Sequence, residues 1–140
     1  MRNLYLFLVM LSLPLPTWGE NGEVLAALEE FLEFAEYAEG AIKPEQMASL
    51  GLAEFHLVDT RTKGQFAKGH IPGAVNIEWR EIIAKRDQLP TDQSIILYCD
   101  TGMLSSKAHF ALRLLGYENV KVLFGGYNNW LLQRVPGNGT

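Results

Sequence analysis

The sequence predicts an α/β domain built on a mainly parallel sheet. Four apolar segments of strand length recur along the chain, and stretches with the helical spacing of apolar residues separate them. Strands that alternate with helices are typical of parallel sheets, because a crossover between neighbouring parallel strands needs a connection of helical length. The 140 residues, 48% of them hydrophobic, are enough for one domain with a buried core.

The first segment, residues 1–19, has the layout of a signal peptide. A basic residue, Arg2, precedes an apolar run from Leu4 to Leu13, and two prolines and small residues follow before Gly19. We expect cleavage near Gly19, export, and a periplasmic location if the source is a Gram-negative bacterium. The apolar run is short for a bilayer, so we expect no stable membrane span after cleavage. An uncleaved anchor is the alternative.

An acidic amphipathic helix is predicted for residues 20–40, with its end at Gly40. Apolar residues fall on one broad face, glutamates fall on the other, and every charged residue between Glu20 and Ile42 is acidic. One interpretation is a solvated face over a buried apolar stripe. The other is a docking surface for a basic protein partner.

Residues 41–134 carry the alternating elements of the predicted domain, and residues 135–140 form a flexible tail rich in Gly and Pro. Pro44 and Gly51 are typical of the start and the end of a helix. The predicted strands are FHLVD (55–59), AVNI (74–77), SIILYC (94–99) and VKVLF (120–124). Helices are predicted within TKGQFAKGHIPGA, REIIAKRDQL, SSKAHFALRLLGY and GGYNNWLLQRV.

Charge argues against nucleic acid as a partner. The formal net charge is -4 and the chain has no cluster of Lys and Arg, so nothing in it provides the basic surface that phosphate backbones or anionic membranes attract. The three histidines show no metal-ligand spacing, and no Gly-rich phosphate motif follows a strand. We therefore expect neither a metal nor an organic cofactor.

The single cysteine, Cys99, has no partner in the chain for an internal disulfide. A buried structural cysteine, an intermolecular disulfide and a reactive thiol are the interpretations that composition leaves open. Cys99 ends the most apolar strand, and a short loop leads from it into a helix starting near Ser105. Backbone N–H groups of such a loop, and the helix N-terminus, stabilise a thiolate and lower its pKa. This position favours a nucleophilic cysteine.

Three separated stretches of the sequence resemble motifs of the rhodanese family of sulfurtransferases. LVDTR (57–61) resembles the family's first strand, GHIPGAVNI (69–77) is similar to its second motif, and CDTGMLSS (99–106) resembles its C-x-x-G-x-x-S active loop. FGGYNNW (124–130) is similar to the family's usual ending. The resemblance extends from about Ala41 to Trp130, and the three stretches stand in the family's order.

The resemblance implies a three-layer sandwich: a mainly parallel five-stranded sheet with helices on both faces. It implies that Cys99 is the catalytic nucleophile, which takes a sulfane sulfur from a small donor such as thiosulfate or a persulfide. The sulfur then passes from the Cys99 persulfide to a thiol or to cyanide. The substrate-binding residues would be Arg61 and the loop residues Asp100, Thr101, Gly102, Met103, Leu104 and Ser105.

Asp100, Met103 and Leu104 depart from the basic loops of family members that handle thiosulfate well. A carboxylate beside the sulfur is expected to raise the pKa of the Cys99 thiol and to repel a dianionic donor, in opposition to the loop amides. Lys107 and Arg61 are the cations available to compensate it. The apolar mouth favours a larger donor or a protein surface.

The supporting residues have structural interpretations beside the catalytic ones. Asp59 and Arg61 are expected to form an ion pair near the loop, with substrate contact by Arg61 as the alternative. His70 is expected to brace the turn that contains it. Thr101 and Ser105 either hydrogen-bond the outer sulfur or cap the helix start, and Gly102 is expected to supply a positive φ or close packing.

The fold that the resemblance implies also hosts phosphatases, and two further functions are alternatives for this chain. Phosphatases of the dual-specificity type need an arginine six residues after the cysteine, where this chain has Ser105, and their loop is one residue longer. Phosphatase chemistry is therefore excluded. A binding module that works through the acidic helix, and a redox protein that exchanges disulfides through Cys99 with an external thiol, are the two alternatives.

Overall fold

The computed structural model describes residues 22–35 and 40–133 of the chain. The predicted signal peptide and the flexible tail lie outside the described residues, and both stay predictions. No helix within residues 22–35 and 40–133 has the length and apolar character needed to cross a membrane.

A five-stranded, all-parallel sheet organises the domain, as the sequence pattern and the resemblance predicted. The strands are β1 (Ala41–Ile42), β2 (Phe55–Asp59), β3 (Val75–Asn76), β4 (Ser94–Tyr98) and β5 (Val120–Leu123). Their order in the sheet is β1-β5-β4-β2-β3, so the three inner strands have a neighbour on both sides. The α-helices are α1 (Gly22–Phe34), α2 (Pro44–Leu50), α3 (Lys63–Lys68), α4 (Met103–Leu114) and α5 (Gly126–Gln133).

Two apolar cores lie on the two faces of the sheet, which makes the domain a three-layer sandwich. Along β4, Ile95 and Leu97 point to one face, whereas Ile96 and Tyr98 point to the other. The first core also contains Val58, Ile77, Ile82, Leu89, Ala108, Leu112 and Val120. The second also contains Ile42, Met47, Leu57, Ile71, Leu123 and Trp130. Because β4 is buried on both faces, it has the continuous apolar sequence of a central parallel strand.

Three local expectations differ from the structure. The edge strand β1 is only two residues long and was not located in the sequence. The helix predicted over REIIAKRDQL is wrong: this segment forms two 3-10 turns, Trp79–Glu81 and Arg86–Gln88. Its backbone hydrogen bonds are those of successive turns, such as the Glu81 N–H to the Glu78 carbonyl at 2.8 Å and the Leu89 N–H to the Arg86 carbonyl at 2.9 Å. Helix α4 begins at Met103, two residues before the expected start.

The expectation of a buried stripe on the acidic helix is also wrong. Helix α1 ends at Phe34, and none of its residues is buried. It rests on α4 through an edge-to-face contact of Phe31 with Phe110, whose ring centroids are 5.0 Å apart. Leu32 and Phe34 are each 72% exposed. Residues 36–39, the remainder of the predicted helix, lie outside the described residues.

Candidate active site

The carboxyl ends of β2 and β4 meet at one edge of the sheet and carry the residues singled out in the sequence. The two strands pair in parallel with Asp59 opposite Tyr98, so that Asp59 and Cys99 arrive at the same edge. The loop from Cys99 to Gly102 then joins β4 to α4. The carboxyl edge of a parallel sheet is where ligands bind in such folds.

The Cys99 sulfur lies inside a cradle made by the loop that follows it. The Gly102 N–H donates to Sγ at 3.2 Å, and the Ser105 hydroxyl approaches Sγ at 3.7 Å. Cys99 is 2% exposed, and Ser105 is fully buried. The first turn of α4 therefore directs its polar hydrogens at a single sulfur atom.

Two opposing effects set the pKa of the Cys99 thiol. Burial by itself raises the pKa. The N–H groups of Ser105, Thr101 and Leu104, together with the Ser105 hydroxyl, lower it by more, so the pKa lies below its ordinary value. The cradle thus favours the thiolate, the form that acts as a nucleophile.

Gly102 has the left-handed conformation that the loop requires, with φ at 101°. The expected positive φ is confirmed, and Gly102 is also the N-cap of α4, so neither Thr101 nor Ser105 holds that position. The Gly102 carbonyl accepts from the hydroxyls of Ser105 at 2.9 Å and of Ser106 at 2.8 Å. Thr101 is exposed, and its N–H is the part that acts on the sulfur.

Arg61 forms the expected ion pair with Asp59, and both side chains are buried. Its Nε lies 2.9 and 3.1 Å from the two Asp59 carboxylate oxygens, and its Nη2 lies 2.6 Å from Oδ2. Nη2 also donates to the Gly69 carbonyl at 2.8 Å, and the guanidinium lies 4.3 Å from the Tyr127 ring centroid. The hydrogen bonds to Asp59 raise the pKa of Arg61, so it stays cationic.

Asp100 is held by the same arginine. Arg61 Nη1 donates to Asp100 Oδ1 at 3.0 Å, and the Gln65 side chain donates to Oδ2 at 2.8 Å. The sequence left open whether Asp100 or the loop amides would dominate the pKa of Cys99; with the carboxylate paired to Arg61, the net direction is downward. The sequence contained no signal for Gln65, which lies 35 residues from Asp100.

The remaining predicted residues lie at the exposed edge of the Cys99 loop or support a neighbouring turn. Met103 and Leu104 are 72% and 36% exposed at the start of α4. His70 stacks on Phe66 with centroids 3.8 Å apart, and its Nδ1 lies 2.9 Å from the Phe66 carbonyl, so it braces the end of α3. Substrate contact by Arg61 stays a prediction, because the side chain is 5% exposed and lies beneath the loop.

The start of α5 fixes the loop from below, a role that sequence reasoning missed. The Tyr127 N–H donates to the Cys99 carbonyl at 2.8 Å, and the Asn128 N–H donates to the Asp100 carbonyl at 3.0 Å. Gly126 allows this approach, because a Cβ on it would overlap the Cys99 carbonyl and lie 2.7 Å from the Asp100 carbonyl carbon. The paired glycines of FGGYNNW are the sequence signal that could have indicated this close approach of α5 to the loop.

Fold and site together define a parallel α/β domain with a hydrogen-bonded cysteine sulfur at the end of a central strand. The model of the Rhodanese-like domain matches residues 43–133. The chain therefore belongs to the rhodanese-like domain family, as its motifs implied.

Two curated relatives show the extent of the sequence similarity. The uncharacterized protein YqhL of Bacillus subtilis is 31% identical over 86 residues, covering 61% of this chain and 68% of the relative. A protein of Allochromatium vinosum named sulfurtransferase is 34% identical over 80 residues, covering 57% of this chain and 75% of the relative. Both alignments span most of the relative's length.

Solved structures agree on the fold. A rhodanese-related protein from Thermoplasma volcanium superposes with a TM-score of 0.64 at 24% identity, covering 69% of this chain and 95% of that one. The human single-domain sulfurtransferase TSTD1 superposes with a TM-score of 0.60 at 24% identity, covering 70% of this chain and all of that one (100%). At this identity, the two superpositions establish the shared fold.

Proposed function

We propose that this chain is a sulfurtransferase, which moves a sulfane sulfur from a donor to a thiol or cyanide acceptor through a persulfide on Cys99. One observation carries the proposal: the Cys99 sulfur receives the Gly102 N–H at 3.2 Å within a loop that lowers the pKa of the thiol. The relatives from Allochromatium vinosum and Corynebacterium glutamicum are named as sulfurtransferases, the second as a thiosulfate sulfurtransferase.

In the first half-reaction the Cys99 thiolate attacks the outer sulfur of the donor. A bond forms between Sγ and that sulfur, the donor's S–S bond breaks, and its electron pair leaves with the inner sulfur: as sulfite from thiosulfate, or as a thiolate from a persulfide. No general base is required, because the loop N–H groups lower the pKa of Cys99 and so favour the deprotonated nucleophile. The loop N–H groups that stabilise the thiolate also face the negative charge of the persulfide.

In the second half-reaction an acceptor nucleophile attacks the outer sulfur of the persulfide. With cyanide, a C–S bond forms, the S–S bond breaks, thiocyanate leaves, and the electron pair returns to Sγ as the thiolate. With a thiolate acceptor, the products are a new persulfide and free Cys99. Because the Arg61 and Gln65 contacts hold Asp100 in place, the cradle keeps its shape through both steps.

Intact-protein mass spectrometry tests the proposal. The full chain is incubated with thiosulfate, and separately with an organic persulfide, with Cys99→Ser as the control. We expect a gain of one sulfur atom in the wild type only, discharged by cyanide with release of thiocyanate. Absence of any gain, in a folded protein whose Cys99 still reacts with an alkylating agent, would refute it. Mixed disulfides with glutathione in place of persulfide would point to the redox alternative.

A protein-binding role for α1 is the second candidate function. It is favoured by the exposed apolar residues of this helix beside exposed glutamates, a surface that a basic amphipathic partner would complement. If α1 binds a protein partner, then in the source organism Cys99→Ser should behave as wild type. Lysine substitutions at Glu29 and Glu33 should abolish the function of the protein. The opposite pattern supports the sulfurtransferase.

We also propose that the chain is exported, and periplasmic if the source is a Gram-negative bacterium. The support is the sequence of residues 1–19 alone. N-terminal sequencing of protein purified from its own host tests the proposal, with a mature start at about Glu20 as the expected result. Protein that retains Met1 in the cytoplasmic fraction would contradict it.

A further inference from the structure

A groove of about 510 Å³ runs along the side of the Cys99 loop. One wall is formed by the loop and the first turns of α4, with Met103, Ser106 and His109. The other wall is formed by the ends of β1 and β5, with Ala41 and Phe124. Its volume is in the range that binds small organic molecules, far more than a thiosulfate ion fills.

The groove and the cysteine cradle share one stretch of backbone. Thr101 and Gly102 line the groove, and their N–H groups are among those that act on the Cys99 sulfur. Through these two residues the groove adjoins the cradle, and Cys99 itself lies behind its wall.

The rim of the groove is apolar and exposed. Met103 is 72% exposed and Phe124 is 61% exposed, and both line the same groove. Two large apolar side chains held in water beside a reactive atom are typical of a binding surface. Methionine adapts its shape to different apolar groups, which suits a rim that closes over a ligand.

Charges around the groove disfavour an anionic occupant. No Lys or Arg is among the residues that line it. The buried side chains of Asp59 and Arg61 and the 44% exposed side chain of Asp100 combine two carboxylates with one guanidinium and so carry a net charge of -1. Lys107 lies on another flank of α4, with its Nζ 5.2 Å from the Trp79 ring. A neutral, apolar group fits this environment better than a second anionic centre.

We infer that the groove binds the organic group of the sulfur donor, and that the donor is a hydropersulfide, R–S–SH, with a neutral apolar R. This inference rests on the proposed function and specifies its substrate class. Cys99 thiolate attacks the terminal sulfur, which keeps its proton, and the donor's S–S bond breaks. The products are the Cys99 hydropersulfide and the thiolate R–S⁻, so atoms and charge balance.

The test compares two donors that differ only in R, benzyl hydropersulfide and methyl hydropersulfide. The rate of sulfur gain on Cys99 of the full chain is followed by intact mass for each. We expect benzyl hydropersulfide to load Cys99 about tenfold faster, from the partial burial of the ring. We expect Phe124→Ala to reduce this ratio several-fold. Leu50→Ala, which truncates a 63% exposed residue at the end of α2, is the matched control and should leave the ratio unchanged.

The outcomes separate this inference from the proposed function. Equal loading by the two donors in the wild type, or an unchanged ratio in Phe124→Ala, overturns the inference and leaves the sulfurtransferase proposal standing. Absence of loading from both hydropersulfides overturns the inference, and it overturns the proposed function as well only when thiosulfate also fails to load Cys99. A ratio that falls with Phe124→Ala and not with Leu50→Ala supports the groove as the donor site.

Discussion

Replacement of Arg61 by methionine is expected to destabilise the domain strongly. Methionine retains most of the apolar stem but removes the guanidinium. Asp59, which is 0% exposed, then loses three close contacts with Arg61 and keeps its charge. The Gly69 carbonyl and Asp100 lose a donor as well. The variant therefore leaves an uncompensated carboxylate inside the domain.

The magnitude follows from burial. Removal of one partner of a buried ion pair costs about 3–5 kcal/mol, since the remaining charge has neither water nor a counterion. For a small domain, whose free energy of unfolding falls by about 1–3 kcal/mol per molar urea, the unfolding midpoint should decrease by about 2–3 M. A loss of about 3–5 kcal/mol is a large part of the roughly 5–15 kcal/mol that stabilises a typical domain.

Urea unfolding followed by circular dichroism measures this decrease. Arg80→Met is the matched control: Arg80 is a surface cation, its side chain is 73% exposed, and its ion pair with Glu78 is 3.5 Å long. Its loss should change stability by about 0–1 kcal/mol. The double variant Asp59→Asn with Arg61→Met should recover part of the loss, because no buried charge is left. A midpoint for Arg61→Met equal to that of Arg80→Met would show that the reasoning is wrong.

Three further outcomes are expected. Ser105→Ala should raise the pKa of Cys99, so the pH profile of alkylation shifts upward. Ser106→Ala, which removes a hydroxyl that donates to the Gly102 carbonyl, should leave the profile in place, and equal profiles for the two variants would contradict the assigned cradle. Because folding lowers the pKa of Cys99, the contribution of Cys99 to stability should be present above the ordinary thiol pKa and be lost as pH falls through the lowered pKa. Urea midpoints measured as a function of pH for the wild type and for Cys99→Ala check this. The same dependence of midpoint on pH in both proteins would refute it. Gly126→Ala should unfold or strongly destabilise the domain, since the added Cβ meets the Cys99 carbonyl and the backbone φ is 62°. Gly64→Ala, with nothing within 4 Å of its added Cβ, should be tolerated. Similar melting temperatures for the two variants would count against the packing described.

Much of the fold could be predicted because its information is local. The alternation of apolar strands and helical segments is encoded in neighbouring residues, and β4, with Ile95 to Leu97 fully buried, has the continuous apolar run of a central strand. Helix α2 begins at Pro44 and is followed by Gly51, as these two residues indicated. The segment from Ile82 to Leu89 was mispredicted because its apolar spacing fits a helix, whereas Ile82 and Leu89 are buried in the first core and the backbone between them forms short turns.

The reactive cysteine could also be predicted from the sequence. Cys99 at the end of an apolar strand, followed by Gly102 and the start of a helix, specifies the cradle within seven consecutive residues. Local sequence therefore determines both the position of the sulfur and the donors that face it, because a loop of this length curls its own N–H groups inward.

Only the tertiary structure decided the electrostatics and the surroundings of that sulfur. Asp100 was expected to oppose the thiolate, but Arg61 and Gln65, 39 and 35 residues away in the sequence, neutralise and hold it. Helix α1 has the pattern of a half-buried helix, yet it packs on α4 through few side chains and leaves its apolar residues in water. Sequence by itself determined the fold class and the position of the hydrogen-bonded cysteine, since both depend on near neighbours. The charge balance, the groove and the exposed helix depend on contacts between distant segments, and only the folded chain brings those together.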